Sequence, residues 1–139
     1  MKKKRPTVKK TPSPLEKTIF LVDDEPIWLD ALSEALEQQH FKVVSSDNGE
    51  DALRKLKTTS PSLILSDVRM PAMNGFDLFE RVRNEPKLKG IPYVFMSSID
   101  DYDAKRVAKE LGADDYVTKP YDSEDVKKIM TDLVKRFKI

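Results

Sequence analysis

The chain contains no cysteine among its 139 residues, and His40 is its single histidine. The first absence excludes disulfide bonds, thiol catalysis and thiolate metal sites, and it fits a reducing compartment. No apolar run approaches the roughly 20 residues that cross a bilayer, and no apolar segment follows the basic N-terminus as in a secretory signal. His40 falls in a predicted loop, which argues against histidine-based catalysis. We therefore expect a cytoplasmic protein without membrane contact.

The formal net charge of +1 conceals two unlike parts. Residues 1–17 carry seven basic side chains against one acid, Glu16, whereas the rest of the chain carries 18 basic and 23 acidic ones. The first part is proline-rich and poor in apolar groups, so we expect a disordered tail over 1–17 and a single domain over 18–139. The tail could contact nucleic acid or an anionic membrane. A solubilising leader or an expression remnant is the favoured interpretation, because no aromatic side chains interleave the charges.

Short apolar runs alternate with amphipathic segments from residue 18 onward. Helical spacing of apolar residues follows each run, and Asn48 and Gly112 are the expected start of the second helix and end of the fourth. Strict alternation with short connections predicts a parallel sheet covered by helices on both faces, which binds ligands at the carboxyl ends of its strands. The five predicted strands are 18–22, 41–44, 63–66, 91–96 and 116–117.

Polar and charged residues stand at four of these strand ends. Asp23 and Asp24 follow the first strand, Asp67 the third, Ser97 the fourth and Lys119 the fifth. Each has an ordinary alternative, since aspartate and serine often form turns or cap helices and a lysine before proline is usually just exposed. Their joint occurrence at one sheet edge favours a functional site.

Three neighbouring carboxylates repel one another unless a cation is present. A hard divalent cation with oxygen ligands, such as Mg²⁺, would relieve this repulsion and orient an incoming phosphoryl group. A carboxylate can be the nucleophile in such a transfer and form an acyl phosphate. Lys119 and Ser97 could then bind the phosphoryl oxygens.

These motifs resemble the receiver domain of two-component response regulators. The resemblance runs from residue 18 to about 138 and rests on LVDDE at 21–25, DVRMP at 67–71 followed by Gly75, MSS at 96–98 and GADDYVTKP at 112–120. It implies a (βα)5 flavodoxin-like, doubly wound parallel sheet with strand order 2-1-3-4-5.

The resemblance also implies roles for the acidic residues. Asp67 accepts a phosphoryl group from a histidine kinase or histidine phosphotransfer protein. Mg²⁺ is held by Asp23, Asp24 and Asp67, with the backbone carbonyl of Arg69 as a further ligand. The protein is then a signalling phosphoacceptor rather than an enzyme acting on an outside substrate.

Three other residues receive roles in the same way. Lys119 contacts the phosphoryl oxygens, and its bond to Pro120 is expected to be cis. Ser97 is the switch hydroxyl that moves toward the phosphoryl group, and Tyr116 is the aromatic that rotates into the vacated space. The implied result is a population shift in the face formed by the fourth helix, fifth strand and fifth helix. Serine at 97 and tyrosine at 121 replace the commoner threonine and phenylalanine.

Two other classes of protein compete with this interpretation. A Mg²⁺-dependent phosphohydrolase would also use an aspartyl nucleophile, but such enzymes usually place a second acid two residues later, where this chain has Arg69. A nucleic-acid-binding regulator could use the basic tail, but no output domain is visible in the sequence, so we do not expect nucleic acid as a partner. The downstream target, a missing output domain and a phosphorylation-dependent dimer are left open.

Overall fold

The computed structural model describes residues 17–120 and 122–139. Five strands alternate with five helices, as the hydrophobic pattern predicts. In chain order they are β1 Thr18–Val22, α1 Pro26–Glu37, β2 Lys42–Ser46, α2 Gly49–Leu56, β3 Leu63–Asp67, α3 Gly75–Arg83, β4 Tyr93–Ser97, α4 Tyr102–Leu111, β5 Asp115–Thr118 and α5 Ser123–Arg136.

The five strands form one parallel sheet in the order β2-β1-β3-β4-β5, which confirms the predicted fold class and strand order. The pairing register aligns Asp67 at the end of β3 with Met96 in β4, and Ser97 with Thr118 in β5. The carboxyl ends of β1, β3, β4 and β5 therefore open onto one edge of the sheet.

Alternate residues of the strands enter two separate cores. In β1, Phe20 and Val22 pack toward α2, α3 and α4, whereas Ile19 and Leu21 pack toward α1 and α5. Burial of both strand faces explains the uninterrupted apolar runs, since a sheet covered on both sides has no polar face. The helices consequently hold the strands rigidly below the polar edge.

Local sequence signals set most of the element ends. Asn48 caps α2 through a hydrogen bond from the Asp51 amide, and Asn74 forms a capping box with Asp77 at the start of α3. Gly112 ends α4 with a φ of 85°, a left-handed conformation that glycine adopts without steric cost. Asn48 and Gly112 thus act as predicted.

Four strands differ by one or two residues from their predicted bounds. β2 covers Lys42–Ser46 rather than 41–44, β3 extends to Asp67, β4 covers Tyr93–Ser97 rather than 91–96, and β5 covers Asp115–Thr118 rather than 116–117. Pro92 explains the later start of β4, because proline has no amide hydrogen for the sheet and only its carbonyl accepts, from Ile64.

Four further expectations concern the N-terminal tail, Tyr121, the peptide bond before Pro120 and a membrane-spanning helix. Most of the predicted tail, residues 1–16, and the Tyr121 substitution lie outside the described residues, whereas the carbonyl of Lys17 already accepts a hydrogen bond from Lys42. The expected cis bond before Pro120 is wrong, because every peptide bond in the described parts of the chain is trans, the isomer that X-Pro bonds prefer by about 0.5–1 kcal/mol. Among the described helices, none is long and apolar enough to cross a membrane.

Candidate functional site

Lys119 lies among three carboxylates at the carboxyl edge of the sheet. Its Nζ atom is 2.8 Å from Oδ2 of Asp23, 3.1 Å from Oε1 of Glu25 and 3.4 Å from Oδ1 of Asp67. The side chains of Lys119, Asp23 and Asp67 are at most 8% exposed, whereas that of Glu25 is 58% exposed. A buried cation is thus surrounded by acids from two strand ends, as the alternation of strands predicts.

Backbone hydrogen bonds hold these strand ends in place. The Asp23 amide donates to the Ser46 carbonyl at 3.1 Å, and the Lys119 amide donates to the Ser97 carbonyl at 2.8 Å. The Glu25 amide donates to Oδ1 of Asp23 at 2.9 Å, which closes a turn before α1 and leaves Oδ2 facing the pocket.

Gly75 lies directly against the backbone of Asp67. A Cβ atom at position 75 would come within 2.1 Å of the Asp67 carbonyl oxygen, and the Gly75 amide donates to the Val68 carbonyl at 2.8 Å. The start of α3 can approach this close only because residue 75 has no side chain. The glycine quoted in the sequence motif therefore positions the loop that carries Asp67.

Burial and mutual repulsion change the ionisation of the two inner acids. Burial, followed by the charge of Asp23, raises the pKa of Asp67 to about 7, with Lys119 acting in the opposite direction. Burial also raises the pKa of Asp23. Burial alone would lower the pKa of Lys119, but its hydrogen bond to Asp23 and the charges of both acids raise it. The lysine alone does not neutralise the cluster.

The acidic pocket fits a hard divalent cation. One carboxylate oxygen from each of Asp23, Glu25 and Asp67 lies within 4.8 Å of the other two. Oδ2 of Asp23 is fully buried and lies 2.8 Å from Nζ of Lys119. An all-oxygen donor set of this kind suits Mg²⁺. A cation would also remove the repulsion that raises the pKa of Asp67.

The remaining predicted ligands lie around the same pocket. Asp24 and Arg69 line an open cavity of about 540 Å³ together with Glu25, Asp67 and Lys119. Asp24 is not one of the three clustered carboxylates, and its assignment as a ligand stays a prediction, as does that of the Arg69 carbonyl. Glu25 was missed as a candidate ligand although it ends the LVDDE motif, because no strand end placed it there.

Ser97 belongs to a second group of polar side chains beside this pocket. It is 2% exposed, and its Oγ donates a hydrogen bond to Oδ2 of Asp101 at 2.7 Å. Arg69 donates two hydrogen bonds to the same carboxylate, from Nε to Oδ2 at 2.7 Å and from Nη2 to Oδ1 at 2.8 Å. The hydrogen bond from Arg69 is the main reason that the pKa of Asp101 falls to about 2.

The contact between Asp101 and Arg69 was not predicted, since the two residues are 32 positions apart and both lie in loops. Their one sequence signal is that Arg69 follows β3 and Asp101 follows β4, which are neighbours in the sheet. Tyr116 is half-buried near this group. Burial raises the pKa of its hydroxyl, Ser97 and Arg69 lower it, and the charge of Asp101 raises it. Ser97 does not cap α4, because Asp101 is the N-cap residue.

Two single-copy residues lie at opposite sides of the domain. The ring of Trp28 lies 5.4 Å from Nζ of Lys119 and lines the cavity. His40 is exposed in the turn that precedes β2, and therefore lies at the amino edge of the sheet, away from the acidic pocket. Its position agrees with the prediction of a loop residue outside the site.

Comparisons with known proteins agree on one family. The family model for the response regulator receiver domain matches residues 19–131. The alkaline phosphatase synthesis transcriptional regulatory protein PhoP of Bacillus subtilis is 32% identical over 90% of this chain and 51% of its own length. Protein PilH of Pseudomonas aeruginosa is 32% identical over 79% of this chain and 91% of its own length.

A solved structure with a similar fold is that of the phosphorylated cyanobacterial phytochrome response regulator RcpA. It matches with a TM-score of 0.80 and 26% identity, over 88% of this chain and 94% of that one. The chain spans about half the length of several curated relatives that it matches, PhoP among them.

Proposed function

Because the chain belongs to the response regulator receiver family, we propose that Asp67 accepts a phosphoryl group from a histidine kinase or a histidine phosphotransfer protein. The observation that carries this proposal is the pocket in which Lys119 contacts three carboxylates at the carboxyl edge of the sheet. The phosphorylated state of the cyanobacterial relative with the same fold supports it.

The transfer requires an ionised Asp67. An Asp67 carboxylate oxygen attacks the phosphorus and forms an acyl phosphate, while the bond from phosphorus to the donor atom breaks and leaves its electron pair on that atom. At neutral pH the raised pKa leaves a large part of Asp67 protonated, so a cation must shift it toward the ionised form.

Mg²⁺ is the cofactor that we propose for this pocket. Asp23, Glu25 and Asp67 would hold it, with Asp24 and the Arg69 carbonyl as further predicted ligands, and it would supply the charge that neutralises the phosphoryl oxygens. Lys119 would then give up its contacts with the acids and bind a phosphoryl oxygen, since its ammonium is already 3.4 Å from Asp67.

Ser97 and Tyr116 would change position in response to phosphorylation of Asp67. Ser97 lines the same cavity as Asp67, so its hydroxyl can turn toward a phosphoryl group, and Tyr116 is half-buried in the neighbouring strand β5. Movement of both would shift the α4-β5-α5 face toward the arrangement that partners bind. The control of a downstream protein, or onward relay of the phosphoryl group in the cytoplasm, stays a prediction.

The test is labelling by radioactive acetyl phosphate in the presence of Mg²⁺. We expect one equivalent of label on the wild-type protein and none on Asp67→Asn, because an amide oxygen cannot form the acyl phosphate. Asp132→Asn, which changes an exposed aspartate of α5, is the matched control and should label like the wild type. Labelling of Asp67→Asn at the wild-type rate would assign the acceptor to another residue.

No observation favours the phosphohydrolase alternative. The position of the expected second acid is held by Arg69, whose guanidinium is paired with Asp101. Repeated turnover of p-nitrophenyl phosphate by the wild-type protein would revive that alternative, whereas a single equivalent of label agrees with a phosphoacceptor.

A further inference from the structure

Three side chains form a continuous chain of hydrogen bonds beside the acidic pocket. Arg69 lies in the loop after β3, Asp101 lies in the loop between β4 and α4, and Ser97 ends β4, so the hydrogen bonds join two neighbouring loops at the carboxyl edge of the sheet. We call this chain of hydrogen bonds the Asp101 relay, defined by these three residues. Asp101 is its centre, because its Oδ2 atom accepts hydrogen bonds from both Arg69 and Ser97.

The Asp101 relay determines where the Ser97 hydroxyl points. Ser97 is 2% exposed, and its single hydroxyl proton is donated to the Asp101 carboxylate at 2.7 Å. Hydrogen bonds to charged acceptors are roughly twice as strong as neutral ones. Ser97 therefore cannot donate to a group on Asp67 until it releases Asp101.

The Asp101 side chain does not make the hydrogen bond that is usual for an aspartate at its position. Asp101 is the N-cap residue of α4, where an aspartate normally accepts a hydrogen bond from the first turn of the helix. Its side chain makes no such cap hydrogen bond and turns to Arg69 and Ser97 instead. The two hydrogen bonds from Arg69 explain this choice, because a guanidinium matches a carboxylate in planar, bidentate geometry.

We propose that Asp101 is a positioning residue that, held by Arg69, keeps the Ser97 hydroxyl turned away from Asp67 and so sets the threshold for switching. The proposal rests on the proposed phosphorylation of Asp67. Because Asp101 is the N-cap residue of α4, its hydrogen bond with Ser97 connects the pocket to the first element of the α4-β5-α5 face. Removal of the Asp101 carboxylate lowers the cost of reaching the switched form.

A purely structural role is the competing explanation, since Arg69 and Asp101 could simply fix two loops. The side chain of Arg69 is 60% exposed, and ion pairs in such positions contribute little to stability. The two roles differ in their dependence on Ser97. A positioning effect of Asp101 disappears when residue 97 has no hydroxyl, whereas a structural effect persists.

The experiment uses beryllofluoride with Mg²⁺ as the phosphoryl mimic. Its apparent affinity is measured from the fluorescence of Trp28, which is the only tryptophan and lines the cavity, and binding is checked by fluorine NMR. We expect Asp101→Ala to bind about fivefold to tenfold more tightly than the wild type, because the competent form is no longer opposed by a charged hydrogen bond.

Two matched variants isolate the effect. Asp103→Ala removes the same charge from the first turn of the same helix, but residue 103 is 78% exposed and lies outside the Asp101 relay, so we expect wild-type affinity. In a Ser97→Ala background, we expect Asp101→Ala to change the affinity less than twofold. Asp101→Asn, measured alongside, removes the charge but leaves a residue type that favours the N-cap position, and it covers the case in which the alanine variant does not fold.

The outcomes separate the proposal from the function on which it rests. If the wild type binds beryllofluoride but Asp101→Ala and Asp101→Asn bind no more tightly, the positioning role is wrong and the phosphoacceptor stands. An equal gain in the Ser97→Ala background also overturns it. If the wild type neither binds beryllofluoride nor labels with acetyl phosphate, the proposed function fails and the positioning role fails with it.

Discussion

Asp67 combines two properties that oppose each other at neutral pH. It is almost fully buried beside Asp23, which favours its protonated form, and it contacts Lys119, which favours its ionised form. Burial has the larger effect. A nucleophile kept near its pKa responds strongly to any cation that enters the pocket, because a small change in local charge changes its ionisation.

This balance predicts a pH-dependent stability in the absence of divalent cations. The native protein keeps a proton on Asp67 between pH 3.8 and about 7, whereas the unfolded chain releases it, so the free energy of unfolding falls as pH rises through this interval. Urea titrations in EDTA at several pH values measure this slope. We expect Asp67→Asn to flatten it, because an amide does not titrate.

The control for this slope is Asp132→Asn, which alters an exposed aspartate of α5 and should keep the wild-type slope. Asp23, whose pKa is also raised, contributes in the same direction, so some slope remains in Asp67→Asn. An unchanged slope in Asp67→Asn would mean that Asp67 is ionised throughout the interval.

At the scale of elements, the start of α3 packs closely against the site. The helix begins with a capping box at Asn74 and with Gly75 pressed against the Asp67 carbonyl. The start of α3 and the Asp67 loop are therefore packed together, and a change in either is expected to move the other.

Gly75→Ala should consequently destabilise the domain. The new Cβ atom would lie 2.1 Å from the Asp67 carbonyl oxygen, a backbone atom that cannot move aside cheaply, so we expect the free energy of unfolding to fall by about 2 kcal/mol. Chemical denaturation measures the loss, and labelling by acetyl phosphate should slow because the Asp67 loop shifts.

Gly90→Ala is the matched control, because a Cβ atom at position 90 meets no atom within 4 Å. We expect its stability to stay within about 0.5 kcal/mol of the wild type. Equal losses in both variants would contradict the close packing of α3 on the Asp67 loop.

At the scale of the whole molecule, the acidic pocket would couple the binding of a divalent cation to folding. Its carboxylates come from the ends of β1 and β3 and from the start of α1, and they converge only in the folded chain. Mg²⁺ that binds this pocket therefore stabilises the native state.

We expect Mg²⁺ at ten times its dissociation constant to raise the free energy of unfolding by about 1.4 kcal/mol. Thermal unfolding at pH 7, with and without Mg²⁺, measures this gain. Asp23→Asn should abolish it by removing a buried ligand, while Asp132→Asn should retain it. The same gain in all three proteins would indicate general ionic effects instead of a specific site.

The amino-acid sequence by itself determined the order of the elements and the strand ends that carry Asp23, Asp67, Ser97 and Lys119. This was possible because a sheet buried on both faces demands apolar runs, and a parallel sheet brings the ends of those runs together. Helix ends such as Gly112 were equally readable, since their conformation depends on the local chain alone.

Only the tertiary structure decided which side chains meet. It brought Glu25 to Lys119 and joined Arg69 to Asp101, residues that no periodicity places on a common face. These contacts depend on the conformation of loops and on the direction of long side chains, which the hydrophobic pattern does not restrict. The sequence thus specified the sheet edge that holds the site, and the folded loops specified how its charges and hydroxyl groups are paired.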